Sequence, residues 1–166
     1  MGKSKKSNED VADANDSQAG DDSQIEEAPT LSYEEQLENV SIIAKPIATK
    51  KVAKRLYKLI KKAAEYKGYL RHGLKDVQAC IRKGETGLVI FAGDVTPIEV
   101  MCHMPGVCEE KGIDYIYTPS REDLGLAMGV KRSCLMMLIK EHPDYKDLYD
   151  DCRKKMKSIA NETFLN

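Results

Sequence analysis

Residues 88–99 read Leu-Val-Ile-Phe-Ala-Gly-Asp-Val-Thr-Pro-Ile-Glu. Leu88 to Ala92 form an unbroken apolar run. A strand with one wet face alternates, so an unbroken run describes a strand covered on both faces. Gly93-Asp94-Val95 ends it. Thr96-Pro97-Ile98-Glu99 then carries a capping-box pattern with proline at the first helical position, which predicts a helix stopping near His103. Pro105 excludes helix from the residue before it. A strand buried on both sides needs a layer on both sides, and the flanking chain supplies candidates.

Downstream, Pro105–Lys111 fits a short helix and Ile113–Thr118 a second strand. Ser120 is placed to cap a helix that Gly129 closes. Val130-Lys131-Arg132-Ser133 reads as a short loop, Cys134–Ile139 as a last buried strand. A C-terminal helix starts at Pro143, with Tyr145, Leu148, Tyr149, Cys152, Met156 and Ile159 at helical spacing. Upstream, Thr49–Tyr66 is a strong helix whose buried stripe is Val52, Leu56, Leu59, Ile60 and Ala63. Tyr69–His72 reads as extended, and a helix begins at Gly73 with Val77, Cys80 and Ile81 facing inward. No internal repeat is visible.

Strands alternating with helices predict an α/β fold, a three-layer α/β/α sandwich around a small mixed sheet, with a disordered N-terminal tail and a C-terminal helix. The expected organisation is a disordered acidic tail at 1–30, an ordered strap at 31–46, and a single domain at 47–160 that includes the C-terminal helix, 143–160. The strap offers Leu31, Tyr33, Leu37, Ile42, Ile43 and Pro46 for docking.

The 166 residues have a formal net charge of −1 that conceals an uneven layout. Residues 1–30 hold three lysines against eight acids, net −5, and residues 45–83 hold thirteen Lys/Arg against two acids, net +11. Few large apolar groups in the first block leave nothing to offset chain entropy. The basic block points to a polyanion, nucleic acid foremost. A merely solvated lysine face is the competing reading.

The five cysteines, at 80, 102, 108, 134 and 152, have no metal-ligand spacing and read as reduced, buried thiols. No apolar run reaches membrane length and no signal peptide is visible. Neither a Walker phosphate loop nor a dinucleotide fingerprint is present. Cys102-His103 is adjacent in sequence, but helical neighbours point about 100° apart. Asp94 stands past a strand's carboxyl end, with a turn-forming role as its simplest reading. No catalytic residue, metal site, cofactor or small-molecule substrate is expected.

Arg71-His72-Gly73-Leu74-Lys75-Asp76 is the most informative site candidate. Gly73 gives backbone freedom at a strand-to-helix junction. The first helical turn leaves N–H groups without intrahelical partners, and its dipole favours an anion such as phosphate. Lys75 adds charge, and Asp76 adds an acceptor for base-edge donors. Each has a bland alternative, a solvated lysine and a dipole-stabilising carboxylate. The Lys131-Arg132 loop suits a phosphate backbone as well, and the loops after Asp94 and Gly129 are candidates to meet the Gly73 helix at one end. Tyr57, Tyr66 and Tyr69 fit a core as well as a stacking platform, so recognition of folded RNA by a helix end plus a loop fits better than single-strand stacking.

These motifs occur in a familiar order. Arg71 to Asp76, Leu88 to Val95, Thr96-Pro97-Ile98-Glu99-Val100, His103-Met104-Pro105 with Cys108-Glu109-Glu110, Tyr115 to Ser120, Leu124-Gly125 and Gly129-Val130-Lys131-Arg132 together resemble the kink-turn-binding ribosomal-protein family, from about Lys45 to Ile139. The resemblance implies a non-catalytic subunit in the nucleus and nucleolus that grips an H/ACA guide RNA. The implied protein partners are a pseudouridine synthase subunit, a small bridging subunit and a glycine/arginine-rich subunit, with telomerase RNA assembly as a further association. It implies that Gly73, Leu74, Lys75, Asp76, Thr96, Val130, Lys131 and Arg132 form the RNA surface, the loop covering a flipped-out base. High-specificity members carry Asn-Glu where Lys75-Asp76 stands, a lysine at Ala79 and usually a proline at Ser133. Those departures imply looser, phosphate-driven binding, with specificity from the assembled particle. A sister role in a box C/D, spliceosomal or ribosomal particle, a protein-only adaptor and an enzyme stay open as alternatives.

Overall fold

The structure is a computed structural model describing residues 31–165, so the expected tail lies outside the described residues. Six helices and four strands follow in the order α1 (Tyr33–Glu38), α2 (Lys50–Ala64), β1 (Leu70–His72), α3 (Leu74–Arg82), β2 (Leu88–Ala92), α4 (Met104–Glu110), β3 (Asp114–Thr118), α5 (Arg121–Met128), β4 (Met136–Ile139) and α6 (Lys146–Leu165). Short 3-10 turns span Ile98–Val100 and Pro143–Tyr145.

The sheet is mixed, in the order β1-β4-β2-β3. β2 and β3 are parallel, and β4 runs antiparallel to both β1 and β2. All five β2 residues are buried, as an unbroken apolar run requires. Alternation along β3 identifies the two covering layers. Tyr115 points to the α4 side, where its hydroxyl donates to Glu109 Oε1 at 2.7 Å. Thr118 points to the other side, near Tyr57 of α2. Gln78 of α3 reaches the head of α4, 2.7 Å from His103 Nε2. α3 and α4 therefore cover one face, and α2 with α5 and α6 the other. α2 buries Val52, Ala53, Leu56, Leu59, Ile60 and Ala63, one continuous stripe.

Four expectations are corrected. The helix after Thr96 is only a 3-10 turn. Pro97 is extended, with ψ of 152°, and serves as its N-cap without a side-chain cap bond. Ile98 is then the first helical residue, Glu99 falls one place short of N3, and the capping-box register is lost. The box forms instead at α1, where Ser32 and Glu35 bond reciprocally. The C-terminal helix proper starts at Lys146 and continues to Leu165, past residue 160, because Pro143–Tyr145 closes in the tighter 3-10 form. Cys102 is exposed, whereas Cys80, Cys108, Cys134 and Cys152 are buried and all five are free. In residues 31–46, Leu31, Ile42 and Ile43 are exposed, while Ala44 is buried and Val40 packs on the core. The segment is tied down by polar bonds: Tyr33 Oη donates to the Ala48 carbonyl, and Gln36 Nε2 donates to Asp123 Oδ2 at 3.0 Å.

Candidate nucleic-acid interface

Register brings three distant segments to one edge of the sheet. His72 faces Met137 and Phe91 faces Met136 across antiparallel ladders, and Ala92 faces Thr118 across the parallel one. The carboxyl ends of β1, β2 and β3 and the start of β4 thus share an edge. The head of α3, the loop after β2 and the loop before β4 all emerge there.

Gly73 caps α3 with φ of 88°, a region that disfavours side chains, and no side chain caps the helix. Its N–H donates to the Met136 carbonyl at 3.0 Å, which fixes the helix head against the start of β4. Among the described residues, nothing bonds the N–H groups of Leu74, Lys75 and Asp76 in the first turn. Leu74 is half-buried beneath them, and Lys75 and Asp76 are exposed.

The opposite wall is the α5–β4 loop. Gly129 is left-handed, with φ of 85°, and closes α5. The Val130 N–H donates to the Gly125 carbonyl at 3.1 Å and the Cys134 N–H to the Arg121 carbonyl at 3.0 Å, so both loop ends are pinned to α5. Between the pins, Val130, Lys131, Arg132 and Ser133 are exposed. The loop lies on bare helix at Gly125, where an added Cβ would stand 2.0 Å from the Arg132 carbonyl oxygen.

The third wall follows β2. Thr96 and Ile98 are exposed there. Asp94 does more than shape a turn. Its Oδ1 accepts from the Arg121 N–H at 2.9 Å, while Ser120 Oγ accepts from the Glu122 and Asp123 N–H groups, so two residues cap α5 together. Burial pushes the Asp94 carboxyl above its ordinary range, opposed by the Arg121 hydrogen bond.

All eight site residues expected from sequence therefore lie in these three walls. Lys75, Lys131 and Arg132 have no ion-pair partner among the described residues. The lysine-rich face of α2 is not part of this rim, because its cations point outward from the layer that α2 shares with α5. Asp94 as a helix cap, Gly125 as a seat for the loop and Gln78 as a strut to His103 were not legible in sequence, since each pairing joins residues at least seven positions apart without a local motif.

The buried thiols Cys108, Cys134 and Cys152 offer little nucleophilic chemistry. Burial pushes Cys108 up to about 12 and Cys152 to about 11, and raises Cys134. Neutral thiols are poor nucleophiles. Exposed Cys102 donates to the Glu99 carbonyl at 3.7 Å, while the neighbouring His103 ring is turned to Gln78. Among the described residues, no group of three or more His, Cys, Asp or Glu could hold a metal, and no helix is long and apolar enough to cross a membrane.

A mixed sheet with helices on both faces, presenting an uncapped helix head and a cationic loop at one edge, defines a class. The chain belongs to the ribosomal protein L7Ae/L30e/S12e/Gadd45 family, whose model matches residues 54–149. Its particular kinship is narrower. It is 54% identical over 159 residues to the H/ACA ribonucleoprotein complex subunit 2 of Drosophila melanogaster, covering 96% of this chain and 98% of that one. An H/ACA ribonucleoprotein complex subunit 2-like protein of Xenopus laevis is 47% identical over 136 residues, covering 82% of this chain and 91% of that one. Among solved structures, the Giardia lamblia 15.5kD RNA binding protein superposes with a TM-score of 0.68 at 27% identity, over 72% of this chain and 99% of that one.

Proposed function

We propose that this chain is a non-catalytic RNA-binding subunit of the H/ACA small nucleolar ribonucleoprotein, supporting guide-RNA-directed pseudouridylation and processing of ribosomal RNA in the nucleolus. Its partners are the H/ACA guide RNA, the pseudouridine synthase subunit, the small bridging subunit and the glycine/arginine-rich subunit. It uses no cofactor and no small-molecule substrate. The 54% identity to an H/ACA subunit over nearly the whole chain supports the particle. One geometric observation carries the mechanism: an uncapped α3 head flanked by Lys75 on one side and Lys131-Arg132 on the other, each cation exposed.

The open N–H groups of the α3 head and the helix dipole receive phosphate oxygens. Gly73, lacking a side chain, lets the backbone approach closely. Lys75, Lys131 and Arg132 neutralise neighbouring phosphates, and Arg132 adds a planar fork that binds two oxygens at once. Leu74 and Val130 offer apolar contact to an unstacked base, Thr96 a hydroxyl, and Asp76 an acceptor.

The test is salt-dependent binding of a guide RNA to the reconstituted particle. Each lost phosphate contact lowers the log–log slope by about 0.7 to 0.9. Replacing Lys75, Lys131 and Arg132 by alanine together is expected to reduce the slope by about 2 to 3. An unchanged slope would refute the rim. Nanomolar, sequence-selective kink-turn binding by the isolated chain would instead favour a box C/D, spliceosomal or ribosomal role.

A further inference from the structure

The rim leaves the most cationic element of the chain unused. α2 carries Lys50, Lys51, Lys54, Arg55, Lys58, Lys61 and Lys62 and no acid. All seven are exposed. At 100° per residue they fall within one arc of about 140°, while the buried residues fill the opposite side. Lys50 to Lys62 extends about 18 Å along the axis. Only Arg55 has an ion-pair partner, Asp151 of α6, among the described residues, and that carboxylate also receives Lys155.

This face is unfavourable for a helix left alone. Lys50/Lys54, Lys51/Arg55, Lys54/Lys58 and Lys58/Lys62 are like-charged pairs at i,i+4, each repelling. Lys50 and Lys51 stand in the first turn, where the helix dipole opposes cations. A glutamate at Lys50 or Lys51 would relieve both penalties, and α2 holds no acid. A dense, one-signed stripe of flexible point charges complements a polyanion with regular charge spacing.

We infer that the outer face of α2 is a second RNA-binding surface, which grips phosphate backbone without reading sequence and lies on the outside of the layer that α2 shares with α5. A strand or stem continuing from RNA held at the edge passes over the α2 face, and affinity comes from release of its counterions. RNA is favoured over an acidic peptide because the stripe is purely electrostatic: it is long and straight, and its arc holds no apolar position for a peptide side chain. The inference rests on the proposed RNA role, but the two surfaces share no residue and can be tested apart.

The experiment uses the full chain and a labelled RNA stem-loop with single-stranded flanks. Lys51→Ala/Lys54→Ala/Lys58→Ala removes three exposed cations while keeping strong helix formers. Relative to the natural chain it is expected to lower the salt slope by about 2 to 3 and to weaken binding about tenfold or more at 100 mM salt. The same loss should appear in a chain whose rim cations are already alanine. A Lys51→Arg/Lys54→Arg/Lys58→Arg chain should restore the slope, and circular dichroism should report equal helix content in all of them. Acylation of the lysines, read by mass spectrometry, should show Lys51, Lys54 and Lys58 protected by RNA and reactive without it. An unchanged slope in the alanine variant overturns the inference while leaving the rim untouched. So does protection already present without RNA that disappears when the eight acids of residues 1–30 are replaced by Asn or Gln, because the acidic segment would then be the occupant.

Discussion

Gly125→Ala isolates how the α5–β4 loop is seated. Gly125 is buried within α5 at ordinary helical backbone angles, so alanine there gains about 1 kcal/mol of helix propensity. Against that, the new Cβ would stand 2.0 Å from the Arg132 carbonyl oxygen, 3.0 Å from its carbon and 3.5 Å from Ser133 Cα. The obstacle is backbone, pinned at both ends by the Val130 and Cys134 N–H bonds to α5, and it cannot swing aside like a long side chain. Overpacking costs about 1 to 3 kcal/mol, and a 2.0 Å approach to pinned backbone belongs at the upper end, about 2 to 3, so a net loss of about 1 to 2 kcal/mol is expected. At about 3 to 5 °C per kcal/mol for a domain of this size, Tm falls by about 3 to 10 °C. Gly106→Ala is the matched control: it is also helical, and its added Cβ meets nothing within 4 Å. That change should raise Tm by a few degrees, since about 0.4 to 1 kcal/mol is gained from the unfolded state. Paired thermal melts followed by circular dichroism provide the measurement. A Gly125→Ala chain that melts at or above the natural temperature would falsify the seating of the loop.

Asp94→Ala removes one of the two caps on α5 and should cost about 1 kcal/mol in urea unfolding, whereas Asp94→Asn keeps an acceptor for the Arg121 N–H and should cost less than half of that. The Lys140 ammonium, 2.6 Å from Glu85 Oε2, holds the Glu85 carboxyl below its ordinary value. Its stabilisation is therefore present above the unfolded carboxyl range, about pH 4.5, and is lost as pH falls through the lower folded value. Tm of Glu85→Gln measured against pH should accordingly show a shallower acid limb than the natural chain, and a steeper one would contradict the pairing. Leu56, fully buried on the inner face of α2, should cost about 2 to 5 kcal/mol on truncation to alanine, read as a lower urea midpoint at unchanged slope.

Periodicity decides burial, and burial is local information. Leu88–Ala92 announces a strand covered on both faces, α2 displays its stripe, and the Gly73 and Ser120 helix starts are visible because backbone freedom and capping act over a few residues. Those same rules make Thr96–Glu99 a helix start, yet Pro97 is extended and only a 3-10 turn forms. Cys102, grouped with the buried thiols by its apolar surroundings, is exposed in the turn between that 3-10 segment and α4. Tertiary structure alone decides that Asp94 caps α5, that Arg132 rests on Gly125, and that the α3 head, the Thr96 loop and the Lys131-Arg132 loop share an edge. Composition along the chain specifies which surfaces are charged or apolar, whereas strand order and register determine which of them become neighbours, and register depends on contacts between residues far apart in sequence.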